Sequence, residues 1–512
     1  MLYSTPMKVL KRIVPFAVIA AAILLLLYLP DIAPERYTDL GTFFRVEIKR
    51  QGFSGFSVAA VADGSVLYVD GFGVDGEGKP VKSNTPLYAS AVSQSMAALA
   101  AYSLVRDGHL SLDESVSDYL PWFELASPTG SASTAGGKVS IRNLISHTSG
   151  VTDFAFDDAH PAAADLESAA RSMVGAKPCA APGSRFGYIN TDYQVLGLVM
   201  EKVTGSDYAS ILDERIFTPL GMKSASARPP VDSSPVGAAN SSPVGAASFF
   251  SLPLRRSPRV LSYAEPSTHT IASAADVGRY MAFLLGPEKH KRGPVSARAA
   301  RALFDPLVPD SPFGYGFFLG QDPGGGLVAY HDGSVEGFSS RVVLWPERRS
   351  GVAVLAAQGS LLQSLFALPA LTEGARCIIR DGSSARPFPL GRLYILLAVV
   401  AAVHLFALIL QTGGALQWAK EAKDKAEAKG TTGPVVFASF RSWFGIAVRI
   451  AIAWLCPRAV GLAFSRVVTW PLLFQLEPAL AVWCLGACIF GCLRNAARLA
   501  CMRVPSGFRR SR

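Results

Sequence analysis

Three runs in the last quarter of the chain, Leu393 to Leu410, Trp443 to about Phe464 and Leu472 to about Leu493, are each close to the ~20 apolar residues that a bilayer core demands. A fourth, Ile13 to Pro30, follows Lys8, Lys11 and Arg12. These runs divide the chain into an N-terminal anchor or signal (1–30), a globular segment (31–390) and a three-helix transmembrane segment (391–512). No small-x-small cleavage site comes after the first run, so it reads as an uncleaved anchor; as anchor or as signal, it exports the globular segment. The middle C-terminal run is the weakest, because it holds Arg449, Pro457 and Arg458. A mid-helix Arg costs ~2.5–3.5 kcal/mol on insertion scales. Arg449 is read as snorkelling or as a shifted boundary, with a buried ion pair or a lipid-headgroup contact as the alternative.

Charge sets the orientation. The chain carries +10 overall, but residues 31–390 carry −4 and the remainder +14. The excess positive charge flanks the apolar runs and reads as topology, which excludes nucleic acid as a partner. Lys420, Lys423, Lys425, Lys429 and Arg441 fall in the loop 411–442, and six arginines fall in the tail 494–512. Both regions, and both termini, are expected to be cytoplasmic. That makes a multi-pass protein of the inner or plasma membrane, with 31–390 on the periplasmic or extracellular side. The Ala/Lys/Glu run at 417–429 reads as a short solvated helix. Cys484, Cys488 and Cys492 repeat every four residues and read as a helix-packing face; Cys179 and Cys377 leave room for one bridge. No metal cluster, phosphate loop or nucleotide fingerprint is present in the sequence, so neither metal nor cofactor is expected.

Within the globular segment, Phe56 to Val69 reads as a hairpin around Asp63-Gly64, and Gln94 to Asp107 and Thr191 to Thr204 read as helices. Ser339 to Trp345 and Gly351 to Gln358 read as paired strands. Strands at both ends with helices between them predict one antiparallel sheet closed by the two ends of the segment. A Pro/Ser/Gly/Ala-rich stretch at about 224–266, with SSPVGAA at 233–239 and 241–247, is expected to be an inserted surface loop.

Five local patterns occur in one order: LISHTSGV (144–151), FGYINTDYQVLGLVMEKVTG (186–205), PLGMK (219–223), IASAADVGRY (271–280) and YHDGSVEGFSS (330–340). Together they resemble the serine β-lactamase-related hydrolases, the group of class C β-lactamases, D,D-peptidases and esterases, over about residues 50–380. The resemblance implies an α/β (α+β) penicillin-binding-protein-like fold, with an antiparallel sheet and a helical subdomain. One such domain with three spans after it resembles, on architecture, the membrane-anchored prodrug-activating peptidases of colibactin-type pathways.

Acyl transfer in that family needs a serine hydroxyl at a helix N-terminus and a lysine one turn on, in the pattern Ser-x-x-Lys. Here the resemblance places the nucleophile position at Ala91 and the lysine position at Gln94. A methyl group cannot attack a carbonyl, and a carboxamide accepts no proton at neutral pH. Shifting the register by one offers Val92 and Ser95, and no Ser-x-x-Lys occurs anywhere in the chain. Tyr188, the family's proton relay, and Asn190, which holds the substrate amide, occupy the Tyr-x-Asn element. His331, Asp332 and Gly333 occupy the cleft-lining His-x-Gly element and are expected to bind substrate. His147 is read as ordering its loop. Ser93 and Ser90 are candidate substitute nucleophiles, although serines at a helix start also cap it.

Three functions are compatible with these residues. One is a membrane-anchored pseudo-hydrolase that binds a peptide-like or acylated small molecule, or a partner protein, without turnover. The second is an active peptidase, amidase or esterase using Ser93 or Ser90. The third is a membrane-assembly or transport accessory, in which the spans and their lipid contacts are the working part.

Overall fold

The computed structural model describes residues 33–126, 138–152, 163–228, 243–259, 261–286, 295–464 and 468–502, together with Val18 and Ala21. The rest of the N-terminal run, the first SSPVGAA copy and the end of the basic tail lie outside the described residues. The chain divides into one unit within Ile32–Leu390 and another comprising Gly391–Arg512 with the N-terminal residues.

In the first unit, six strands form one sheet: β1 (Gly55–Ala62), β2 (Ser65–Gly73), β3 (Phe318–Gln321), β4 (Leu327–Val335), β5 (Phe338–Trp345) and β6 (Ser350–Ala356). Their spatial order is β2-β1-β6-β5-β4-β3, and every neighbouring pair is antiparallel. The β1–β6 pair joins the two ends of the unit, with Val61 opposite Gly351 and Phe56 opposite Ala356. The β1–β2 hairpin turns at Asp63 and Gly64, whose φ values of +50° and +71° are the left-handed pair that a two-residue turn requires.

Five helices frame the site: α1 (Leu40–Arg50), α2 (Val92–Arg106), α3 (Asn190–Thr204), α4 (Ala274–Leu285) and α5 (Leu368–Asp381). β1 is buried along almost its whole length because both faces of the sheet are covered. Phe56 packs against Phe44 of α1 and against Phe53 and Phe72. On the other face Ala59 meets α4 at Gly278, where an added methyl would lie 3.2 Å from the Ala59 Cβ. α2 is buried all round from Val92 to Ala101, which a helix tolerates only at the centre of a domain. α3 and a helical turn at Glu265–His269 pack on it.

The described part of the 224–266 stretch departs from expectation. Gly245–Phe249 and Leu252–Arg256 pair as a hairpin, and Gly245–Phe249 also runs parallel to Gln358–Gly359. Ala246 and Ala247 are buried. Small residues, which looked too poor to bury a core, are what this contact needs: a methyl on Gly245 would sit 2.2 Å from the Gly337 carbonyl oxygen. The bridge weighed for Cys179 and Cys377 does not form; both thiols are free, Cys179 near Thr152 and Cys377 near Glu373.

The second unit contains α6 (Leu390–Gly413), α7 (Ala415–Ala428), α8 (Gly433–Phe464) and α9 (Pro478–Met502). Three stretches, Leu390–Gly413, Gly433–Leu462 and Pro478–Met502, are long and apolar enough to cross a membrane, with mean hydropathies of 2.8, 1.6 and 1.5. The second begins well before the expected Trp443, absorbing part of the loop. The third begins later than expected, because Trp470–Leu476 is a separate helix that ends ahead of Pro478, whose ring disfavours helical backbone at Glu477. Arg458 folds back on its own helix, donating to the Trp454 carbonyl at 2.7 Å and lying 3.8 Å from that indole.

Glu265 opens the turn that packs on α2 and α3, and burial pushes its carboxyl up to about 8. The folded chain thus keeps a proton that the unfolded chain releases near 4.5, so this contribution is complete at low pH and is lost as pH rises toward 8. His269 and His331, lowered to about 4 by burial, act in the opposite sense as the unfolded chain loses its histidine protons around 6.5, so the Glu265 loss is read in the window above that, up to 8. In full-length protein, amide-exchange protection across 261–286, corrected for intrinsic rates, should fall over that window and become flat in Glu265→Gln. Protection that does not vary with pH in the unsubstituted protein would refute the assignment.

Candidate active site

The site forms where the start of α2 meets the end of β4. Ala91 is the N-cap of α2 and lends it no side-chain hydrogen bond. Gly333 faces it: a methyl on Gly333 would lie 2.4 Å from the Ala91 nitrogen and 2.5 Å from the Ser90 Cβ. Only glycine permits this approach of strand to helix. His331, two residues earlier, shares that face of β4 by strand alternation. Asp332 points to the other face, where it pairs with Arg341 opposite it on β5. The structure therefore separates Asp332 from the site and keeps His331 and Gly333 in it.

Gln94, one turn into α2 and fully buried, is the hub. Its Nε2 donates to the Tyr188 phenol oxygen at 2.7 Å and lies 3.3 Å from Asn190 Oδ1, so the Tyr-x-Asn element closes on the lysine position. Its Oε1 lies 3.1 Å from His147 Nε2, and His147 Nδ1 lies 3.3 Å from Asp192 Oδ2. On the far side, Tyr188 OH stands 3.5 Å from His331 Nε2, and His331 Nδ1 is 2.7 Å from the Gly316 carbonyl oxygen.

Burial decides where the protons sit. Gly316 O can only accept, so His331 carries its proton on Nδ1 and offers a lone pair at Nε2. Desolvation lowers the His331 pKa to about 4, and desolvation with the nearby His331 holds His147 well below its usual value, so both rings are neutral. A neutral His147 has one N–H for two acceptors, Asp192 and the Gln94 carbonyl. Turning the Gln94 and Asn190 amides over together resolves the conflict: the Gln94 NH2 then serves His147 Nε2, and its carbonyl accepts from Tyr188 and from the Asn190 NH2. In either orientation Tyr188 is engaged with an amide that can neither gain nor lose a proton.

Aromatic rings wall the site. Tyr188 stacks on Phe318 at 6.1 Å and its centroid lies 4.5 Å from that of His147, while Phe313 flanks His331 at 5.6 Å. Gly316, at φ +79°, passes so close to α2 that a methyl there would fall 2.4 Å from the Ser95 Cα.

Two of the three serines bond to backbone. Ser93 Oγ donates to the Ser90 carbonyl at 2.6 Å and accepts from Thr270 N at 3.1 Å, which ties α2 to the neighbouring chain. Ser95 Oγ donates to the Val92 carbonyl. Ser90 is fully buried in left-handed backbone, φ +52°, and its hydroxyl has no partner among the described residues. Neither Ser90 nor Ser93 bonds to Tyr188, His331 or any other base there.

Sequence reasoning missed the joining of His147 and Asp192 to the site, and the roles of Phe313, Gly316 and Phe318. The available signal for His147 was its place in the HTSG motif.

Comparison with known proteins agrees with this architecture. A family model described as Beta-lactamase matches residues 40–372. Protein flp of Staphylococcus aureus (strain MW2) is 25% identical over 325 residues, 62% of each chain, so the chain spans less than two thirds of the length of such curated relatives. Among solved structures, the octameric penicillin-binding protein homologue from Pyrococcus abyssi superposes with a TM-score of 0.54 at 23% identity, covering 67% of this chain and 77% of that one. D-alanine carboxypeptidase AmpC from Burkholderia cenocepacia gives 0.52 at 21% identity, over 66% and 97%. With a match across most of the chain, an antiparallel sheet closed by its two ends, and the cleft elements gathered at the start of α2, this chain belongs to the β-lactamase family.

Proposed function

We propose that the protein is a membrane-anchored pseudo-hydrolase: a β-lactamase-type cleft, held outside the membrane, that binds a peptide-like or acylated ligand without cleaving it. One observation carries the reading. The lysine position is a buried amide whose hydrogen bonds go to Tyr188 and Asn190, and the nucleophile position beside it is a methyl group. Loss of a catalytic serine in hydrolases costs up to ~10⁶ in rate, leaving ~10³–10⁴ over water from binding and oxyanion donors. The retained Tyr188, Asn190, His331 and aromatic walls support recognition of a ligand with an amide and an apolar group. A cleft that holds such a ligand could equally present it to a partner protein.

The anchoring topology belongs to the same proposal. Basic residues in 411–442 and after 494 favour cytoplasmic placement of both, which puts the cleft on the periplasmic or extracellular face. Cys179, exposed on the globular unit, reports this directly. A membrane-impermeant maleimide should label it in intact cells, or in spheroplasts of a Gram-negative host. Labelling that requires lysis of the inner membrane would reverse the topology.

The catalytic claim is tested by restoring the dyad. Ala91→Ser with Gln94→Lys should raise turnover of an activated acyl ester by ~10² or more, the usual range for a positioned acid or base, while leaving the affinity for a bound acyl-peptide within a few-fold. Equal turnover by the unsubstituted protein, abolished by Ser90→Ala or Ser93→Ala, would establish the active-enzyme reading instead. Full function in cells from a chain lacking 31–390 would establish the accessory reading.

A further inference from the structure

The membrane unit gathers guanidinium groups that its carboxylates leave unmatched. Arg449 of α8 lies flat over Gly491 of α9, where an added methyl would fall 1.5 Å from Arg449 Nε. Arg494 of α9 donates to Gln411 Oε1 of α6 at 2.6 Å, and Arg498 lies over the Trp418 ring of α7 at 4.6 Å. Arg494 is within Coulombic range of both Arg449 and Arg498. The Nε atoms of all three are buried without a hydrogen-bond partner among the described residues. Asn495, 2% exposed, adds a fourth donor: its Nδ2 has no acceptor there and faces Gly445 of α8.

A preference for positive charge on the cytoplasmic side explains cations beyond the helix ends, but Arg449 stands near the middle of the Gly433–Leu462 span. Three like charges in a low-dielectric setting repel one another, and an anion placed among them reverses the sign of that interaction. Beside Arg449 is a cavity of about 310 Å³ with an almost wholly apolar lining that includes His404, Ile452, Trp483, Cys484 and Cys488. Cationic forks next to an apolar slot match a ligand with a phosphate at one end and a hydrocarbon chain at the other.

We propose that the junction of α6, α8 and α9 is a binding site for one anionic phospholipid, its phosphate held by Arg449 and Arg494 and one acyl chain lying in the cavity beside them. Annular lipid would exchange freely; a lipid held here is a structural part of the unit that fastens α8 to α9 where Gly445 and Gly491 bring them together. This is independent of whether the globular cleft is catalytic.

The test uses the full-length chain in nanodiscs of equal phosphatidylglycerol and phosphatidylcholine, with native mass spectrometry of the released protein. One phosphatidylglycerol should be retained about tenfold over phosphatidylcholine, the preference expected from one to two arginines at a membrane phosphate. Arg449→Gln combined with Arg494→Gln should bring that ratio close to one, while glutamine at Lys420, Lys423 and Lys425 should leave it unchanged. As a check that does not depend on a folded variant, phosphatidylglycerol with a diazirine near its acyl terminus should cross-link the unsubstituted protein at His404 or within 483–488. Four outcomes would overturn the proposal: no lipid preference, a preference that survives the double substitution, cross-links found only elsewhere, or full displacement of the lipid by inorganic phosphate, which would mark a site for free anions.

Discussion

A primary amide buried among a phenol, an imidazole and a second amide must have its polar atoms met there, because leaving a buried donor or acceptor unpaired costs its full desolvation. Gln94 is that amide, and the site is arranged around satisfying it. It fixes Tyr188, braces the loop through His147, and holds the start of α3 through Asn190. A lysine in its place would bring a charge to the same partners and a base to the neighbouring residue. The amide meets those partners without a charge.

The sheet supplies the other constraint. β4 comes close to the first turn of α2 only because Gly333 has no side chain, and the loop before β3 comes close only because Gly316 has none. These two glycines set how closely β4 and the chain at 316 approach residues 90–95. The close backbone approach around the start of α2 is therefore kept, with a methyl group at position 91 and a neutral amide at position 94.

The legible part of the sequence was the part written in local rules. The Asp63-Gly64 hairpin, the buried helix beginning near Gln94, and the strand pair around 346–350 follow from turn chemistry and periodicity, and the ordered motifs joined them into a family fold. What was hidden depended on non-local contacts. The Gly-Ala-Ala run at 245–247 looked like part of a surface loop, because composition does not reveal that the 337 turn lies against it. Asp332 looked like part of a cleft motif until its register opposite Arg341 put it on the other face. His147 and Asp192 lie far apart in sequence and meet only when the helices pack. In the membrane unit, apolar length located the spans, but Pro478 shifted one boundary and the packing of Arg449 on Gly491 gave a mid-span charge a definite place.

The most direct measurement is the intact mass of the purified, full-length, unsubstituted protein after prolonged incubation with excess penicillin or a fluorophosphonate. An inert site predicts an unchanged mass, with ligand lost on denaturation. A stoichiometric covalent adduct mapping to any residue from Ser90 to Ser95 would contradict it.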